Sequence, residues 1–131
     1  MHFAFLGALM WGLYYTVYAS ISTKASYAYM MFYGSVYCAL ITAPFALREK
    51  FNPDVLKLIA VERTFGLLAA FCLYNAVRSI GVTTASVIES MYPFFVALFA
   101  LLIYKERPSI EFIIGTCLIF SGITLISYNK N

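Results

Sequence analysis

Apolar residues run through this sequence in five long blocks, cut by short polar interruptions. The blocks cover about 3–22, 26–47, 56–80, 83–104 and 110–128. None alternates with the period of two that a barrel strand requires, and each is far longer than the ~10 residues of such a strand. Each has the length of a helix that crosses the ~30 Å hydrocarbon core at 1.5 Å per residue. The punctuation is helical as well. Asn52-Pro53-Asp54 supplies a cap, a first-turn proline and an acid at the positive end of the helix dipole. Arg107-Pro108-Ser109 with Glu111 does the same before the fifth block. Pro44 closes the second block ahead of the polar run Arg48-Glu49-Lys50. The connections near 22–26, 80–84 and 105–109 are short, so consecutive helices are expected to be antiparallel neighbours. The pattern predicts an all-α membrane protein with five transmembrane helices in a single domain, 1–131.

Composition agrees with lipid as the solvent. Only 11% of the 131 residues are charged and 63% are apolar, where a soluble domain carries about 25% charge. The net charge of +3 is scattered, which argues against nucleic acid as a partner. The first block is read as a retained helix rather than a signal peptide. No Lys or Arg precedes Lys24, and Phe3 to Thr23 is free of charge, too long for a signal-peptide core of about 7–15 residues. Cys38, Cys72 and Cys117 each lie within an apolar run and read as packing residues. The bases fix an orientation. Arg48, Lys50, Lys57, Arg63, Lys105 and Arg107 fall on one side, and Lys24, Arg78 and Lys130 on the other. The positive-inside rule puts the first group, and with it the N-terminus, in the cytoplasm. The expected location is the cytoplasmic membrane, with the chain crossing it several times.

Against this background Glu89 is the most informative residue. It lies about 9 Å into the fourth block at 1.5 Å per residue, where a lipid-facing carboxylate costs roughly 2.5–3.5 kcal/mol or more. It should turn toward a polar cavity or a partner. An ion pair with Arg78, across the short turn between blocks three and four, is the structural alternative. Pro93 follows four residues later and removes the N–H that would pair with the Glu89 carbonyl. A broken helix beside an intramembrane acid is how membrane transporters build binding sites. Helical spacing gathers further groups into stripes: Trp11, Tyr14, Tyr15 and Tyr18; Phe71, Tyr74, Asn75 and Arg78; Ser86, Glu89, Tyr92 and Pro93. Tyr33 and Tyr37 fall near mid-membrane, where each hydroxyl wants a partner. The expected solute-binding set is Glu89, Arg78, Asn75, Trp11, Tyr14, Tyr15, Tyr92 and Pro93. Gly115 and Gly122, seven apart in the fifth block, share one face and form the expected contact with another helix or chain. No catalytic residue, metal ligand or cofactor motif is expected. The only His is His2, and no phosphate loop or nucleophile–base pair is visible.

The chain resembles one five-helix half of the drug/metabolite transporter superfamily, of the EamA-like type. Trp11-Gly12, Ala85-Ser86-Val87 leading to Tyr92-Pro93, Glu106, and Gly115-x-x-Leu118-Ile119-x-x-Gly122 carry the likeness. The helix-five motif is also similar to the dimerising last helix of small multidrug resistance proteins. The resemblance implies one EamA-like repeat where most relatives have two. A working unit would then pair this chain with a second five-helix half, as a homodimer or a heterodimer. It implies secondary transport of a small metabolite or amphipathic solute. The alternatives are a flippase subunit for a lipid-linked headgroup, or an accessory subunit that does not transport. Two departures stand out. Lys105 occupies a position where glycine usually precedes the acid. Block one lacks the carboxylate that small multidrug resistance proteins use, which leaves Glu89 as the available acid.

Overall fold

The computed structural model describes residues 2–128, and every regular element among them is an α-helix. Lys130, counted in the charge split above, lies outside the described residues. The chain forms two compact units, 1–79 and 80–131. The first contains α1 (His2–Ser22), α2 (Tyr27–Ala46) and α3, which runs Pro53–Ile80 into the junction. The second contains α4 (Val82–Glu89), α5 (Tyr92–Tyr104) and α6 (Ile110–Tyr128).

Local chemistry accounts for the helix ends. The Ser26 side chain accepts the Tyr29 N–H and starts α2. The Asn52 side chain accepts the N–H groups of Asp54 and Val55 at 3.0 and 3.4 Å, with Pro53 as the first residue of α3. Ser109 accepts the Phe112 N–H at 3.2 Å and caps α6. These hydroxyls and the amide satisfy N–H groups that a helix start otherwise leaves open. Pro44 sits inside α2, which ends two residues later at Ala46. The N–H of Lys105 donates to the Ala100 carbonyl, and the Glu106 N–H reaches the same oxygen at 3.4 Å, which closes α5.

The fourth apolar block, expected as one helix, is divided. α4 stops at Glu89, Ser90 and Met91 form a turn, and α5 begins at Tyr92. The Ser90 N–H bonds back to Ser86 and Val87, and the Met91 N–H to Ile88. Pro93 then offers no N–H to the Glu89 carbonyl. Six helices therefore stand where five runs were read.

Among the described residues, three stretches are long and apolar enough to cross a bilayer: α1, α2, and Val82–Tyr104 across the break. α3 has the length but carries Asp54, Lys57, Glu62, Arg63 and Arg78. The apolar part of α6 is shorter, Ile110–Ile126. Large apolar side chains point outward on every helix except the short α4, where only Ile88 does; α2 buries no residue at all. A soluble domain does not display such a surface, whereas lipid solvates it without cost. The hydroxyls of Thr16, Thr42, Thr64, Thr116, Ser121 and Thr124 each donate to a carbonyl one turn back on their own helix. That is how an isolated hydroxyl is satisfied where water is absent.

Candidate functional site

In the first unit the core is built from tyrosines. Tyr18 and Tyr74 are buried, together with Ser22 and Val77. Each tyrosine reaches a main-chain oxygen of another element. The Tyr18 hydroxyl donates to Ala70 O on α3 at 3.3 Å. The Tyr27 hydroxyl, at the start of α2, donates to Leu67 O on α3. The Tyr74 hydroxyl donates to Ala25 O in the α1–α2 loop at 3.1 Å. Tyr27 also meets the rings of Phe71 and Tyr74 at 5.3 and 5.9 Å. Three hydroxyls thus fasten α1, α2 and the intervening loop to the C-terminal half of α3.

Arg78 extends this cluster. Its Nη1 donates to the Tyr74 hydroxyl at 2.7 Å, and its guanidinium carbon lies 5.4 Å from the centre of the Tyr74 ring. The hydroxyl accepts from Arg78 and donates to Ala25, so both of its functions are used. No carboxylate pairs with Arg78 among the described residues. The ion pairs found there, Lys57–Asp54 at 3.1 Å and Arg63–Glu62 at 3.0 Å, stand on the exposed opening half of α3.

On α1 the expected aromatic stripe forms a continuous ladder. Trp11 meets Tyr14 at 5.1 Å and Tyr15 at 6.2 Å, and Tyr14 meets Tyr18 at 5.6 Å. Tyr14 is exposed and Tyr15 half-buried. Asn75 is exposed, and its amide donates to Phe71 O on its own helix at 2.8 Å, which leaves its carbonyl oxygen free to accept. The Tyr33 ring meets Tyr29 at 4.5 Å, tilted, and Phe32 edge to face at 5.3 Å. The hydroxyls of Tyr33 and Tyr37 have no partner among the described residues.

In the second unit Glu89 is the last residue of α4 and is exposed, with no ion pair among the described residues. Tyr92 and Pro93 open α5 and line a groove of about 440 Å³. Val96, Ala97 and Ala100 continue that wall, and Glu106, Arg107, Ser109 and Phe112 complete it. A second groove of about 240 Å³ is almost wholly apolar and runs between Leu98 and Leu101 of α5 and Phe112 and Phe120 of α6. Phe94 and Phe120 meet edge to face at 5.4 Å and hold these helices together. α4 packs on α6, with Thr84, Ala85 and Ile123 buried. Gly115 and Gly122 are half-buried, yet a Cβ on either would meet nothing within 4 Å. No cluster of metal-ligating side chains occurs among the described residues.

Within the first unit, therefore, Trp11, Tyr14 and Tyr15 come together, and Arg78 is held by a tyrosine that the sequence pattern placed only in its stripe. Tyr27 was not singled out at all. Its signal is its place immediately after a capping serine, where a long aromatic can reach back to the neighbouring helix. Within the second unit, Tyr92 and Pro93 share one groove.

The model of the EamA-like transporter family matches residues 1–128. No curated protein and no solved structure matches the chain.

Proposed function

We propose, from the premise that this chain belongs to the EamA-like transporter family, that it is one half of a secondary transporter for a small metabolite or amphipathic solute. Family membership makes it a multi-pass membrane transporter of the drug/metabolite type. The finer reading is carried by the break in Val82–Tyr104. An apolar stretch of 23 residues is interrupted by a carboxylate, a two-residue turn and a proline. Irregular backbone at membrane depth is tolerated where it faces protein or a water-filled cavity, and discontinuous helices supply solute and ion sites in transporters. In this reading Glu89 is the coupling or solute-contacting acid. The second unit adds Tyr92 and Pro93 to the pathway, and the first adds Trp11, Tyr14, Tyr15, Asn75 and Arg78.

α3 and α6 complete five spans, with the N-terminus in the cytoplasm of a cell whose cytoplasmic membrane holds the protein. Five spans give half a pathway. A second five-helix half in inverted orientation, either another copy or a homologous chain, supplies the rest. The seven-residue spacing of Gly115 and Gly122, which puts both on one face of α6, supports that face as the contact. Reporter fusions at both ends test the topology: opposite sides are expected, and both ends on one side would exclude five spans. Flux into reconstituted vesicles, measured across a metabolite panel for wild type and Glu89→Gln, tests the transport role.

A further inference from the structure

We infer that Arg78 is an oxyanion-binding group, positioned by Tyr74 and reinforced by Lys24, and that the solute carries a carboxylate or a phosphate. The inference rests on the transport reading only for that last consequence. Two observations lead to it.

The guanidinium is fixed rather than loose. One N–H bonds to the Tyr74 hydroxyl, the ring lies beneath it, and Tyr74 is itself buried and bonded to Ala25. Arginine has five N–H donors. With one of them engaged, most of the fork is left to the outside in a set orientation. A planar, pre-organised fork suits bidentate recognition of carboxylate or phosphate oxygens.

The surroundings are cationic. Ala25, which anchors Tyr74, is the neighbour of Lys24, an exposed residue whose side chain is unpaired among the described residues. Arg78 and Lys24 therefore lie at the same end of the first unit. That unit has three acids, Glu49, Asp54 and Glu62. Asp54 and Glu62 pair with Lys57 and Arg63. Glu62 lies sixteen residues before Arg78 on α3, about 24 Å away at 1.5 Å per residue, and Glu49 and Asp54 precede it. Two positive charges at this end thus meet no carboxylate from their own unit.

Arg78 is exposed in the last turn of α3, so its free N–H groups are open to a ligand. The fixed geometry and the absence of an acid from the same unit together leave room for an anion at the guanidinium. A soluble carboxylate or phosphate and the phosphodiester of a lipid headgroup share this chemistry.

The test is protection of Arg78 from phenylglyoxal, read residue by residue by mass spectrometry. The protein is held in phosphatidylcholine nanodiscs, and inorganic phosphate or succinate is titrated in. Saturable protection of Arg78, without protection of Arg48, Arg63 or Arg107, is expected. Lys24→Gln alters only an exposed loop and is expected to raise the protecting concentration about two- to fivefold, the range of a partly exposed charge pair. Nanodiscs containing phosphatidylglycerol separate the sources: protection there alone assigns the oxyanion to a lipid headgroup. Equal modification of all four arginines at every anion concentration would overturn the inference. So would full protection of Arg78 before any anion is added, since a carboxylate of the protein would then hold it. Vesicles that carry a solute while Arg78 shows no protection would remove this inference and leave transport standing. Saturable protection in a protein that moves nothing would do the reverse.

Discussion

The Tyr74 hydroxyl donates to the carbonyl of Ala25 at 3.1 Å and ties the last turns of α3 to the loop that joins α1 and α2. This bond also aims Arg78, which donates to the same hydroxyl. Tyr74→Phe keeps the ring and removes only the oxygen. It is expected to lower stability by about 1–3 kcal/mol, the net worth of the two hydrogen bonds that the hydroxyl makes. Unfolding in mixed micelles measures this. An unchanged midpoint would mean that the loop is held by other contacts.

Among the described residues two adopt positive φ, with opposite consequences. Gly81 precedes α4 at φ 82° and ψ 158°, a region that only glycine enters freely. Gly81→Ala meets no atom within 4 Å, so any loss reports backbone strain alone. A loss of about 1–3 kcal/mol is expected. Lys105 sits at φ 58° and ψ 23°, the left-handed conformation that ends α5. A side chain there costs about 1 kcal/mol that glycine avoids. Lys105→Gly is therefore expected to stabilise the protein by about that amount, read from the same unfolding curves. Destabilisation by Lys105→Gly would show that the lysine side chain makes a contact outweighing its backbone strain.

Gly122→Leu addresses assembly. A Cβ at this position meets nothing within 4 Å inside the chain, so the substitution should spare the fold of the second unit. Pairing with a second half is expected to weaken, because a large side chain blocks close approach of two helices. Crosslinking yield and mass in detergent read this directly. A wild-type yield in the variant would move the interface elsewhere.

How far the sequence could be read depended on what each residue answers to. The helix starts at Asn52 and Ser109 were legible, because a cap bonds within three residues of itself. The division at Ser90 and Met91 was foreshadowed by Pro93, which denies an N–H four residues back. Its form as two separate helices was not, since periodicity carries straight through the turn. Lys105 stood out against the glycine that the resemblance implies there, and its left-handed backbone is one that glycine adopts freely. The tyrosine cluster was the least legible feature. Tyr18 and Tyr74 lay on the expected stripes, but their partners are main-chain oxygens of Ala70 and Ala25. A carbonyl has no sequence identity, so no pattern of side chains could announce that Tyr27, Tyr18 and Tyr74 bind α1 and α2 to α3.

The carboxylate of Glu89, exposed at the end of α4 inside an otherwise apolar span, bears most of the functional reading. Flux of a labelled metabolite panel into vesicles containing wild type or Glu89→Gln examines it directly. Saturable flux of at least one solute by wild type is expected, with loss to the level of empty vesicles in Glu89→Gln at equal insertion and unchanged assembly. Full flux by Glu89→Gln would contradict the assignment of Glu89 to the transport pathway.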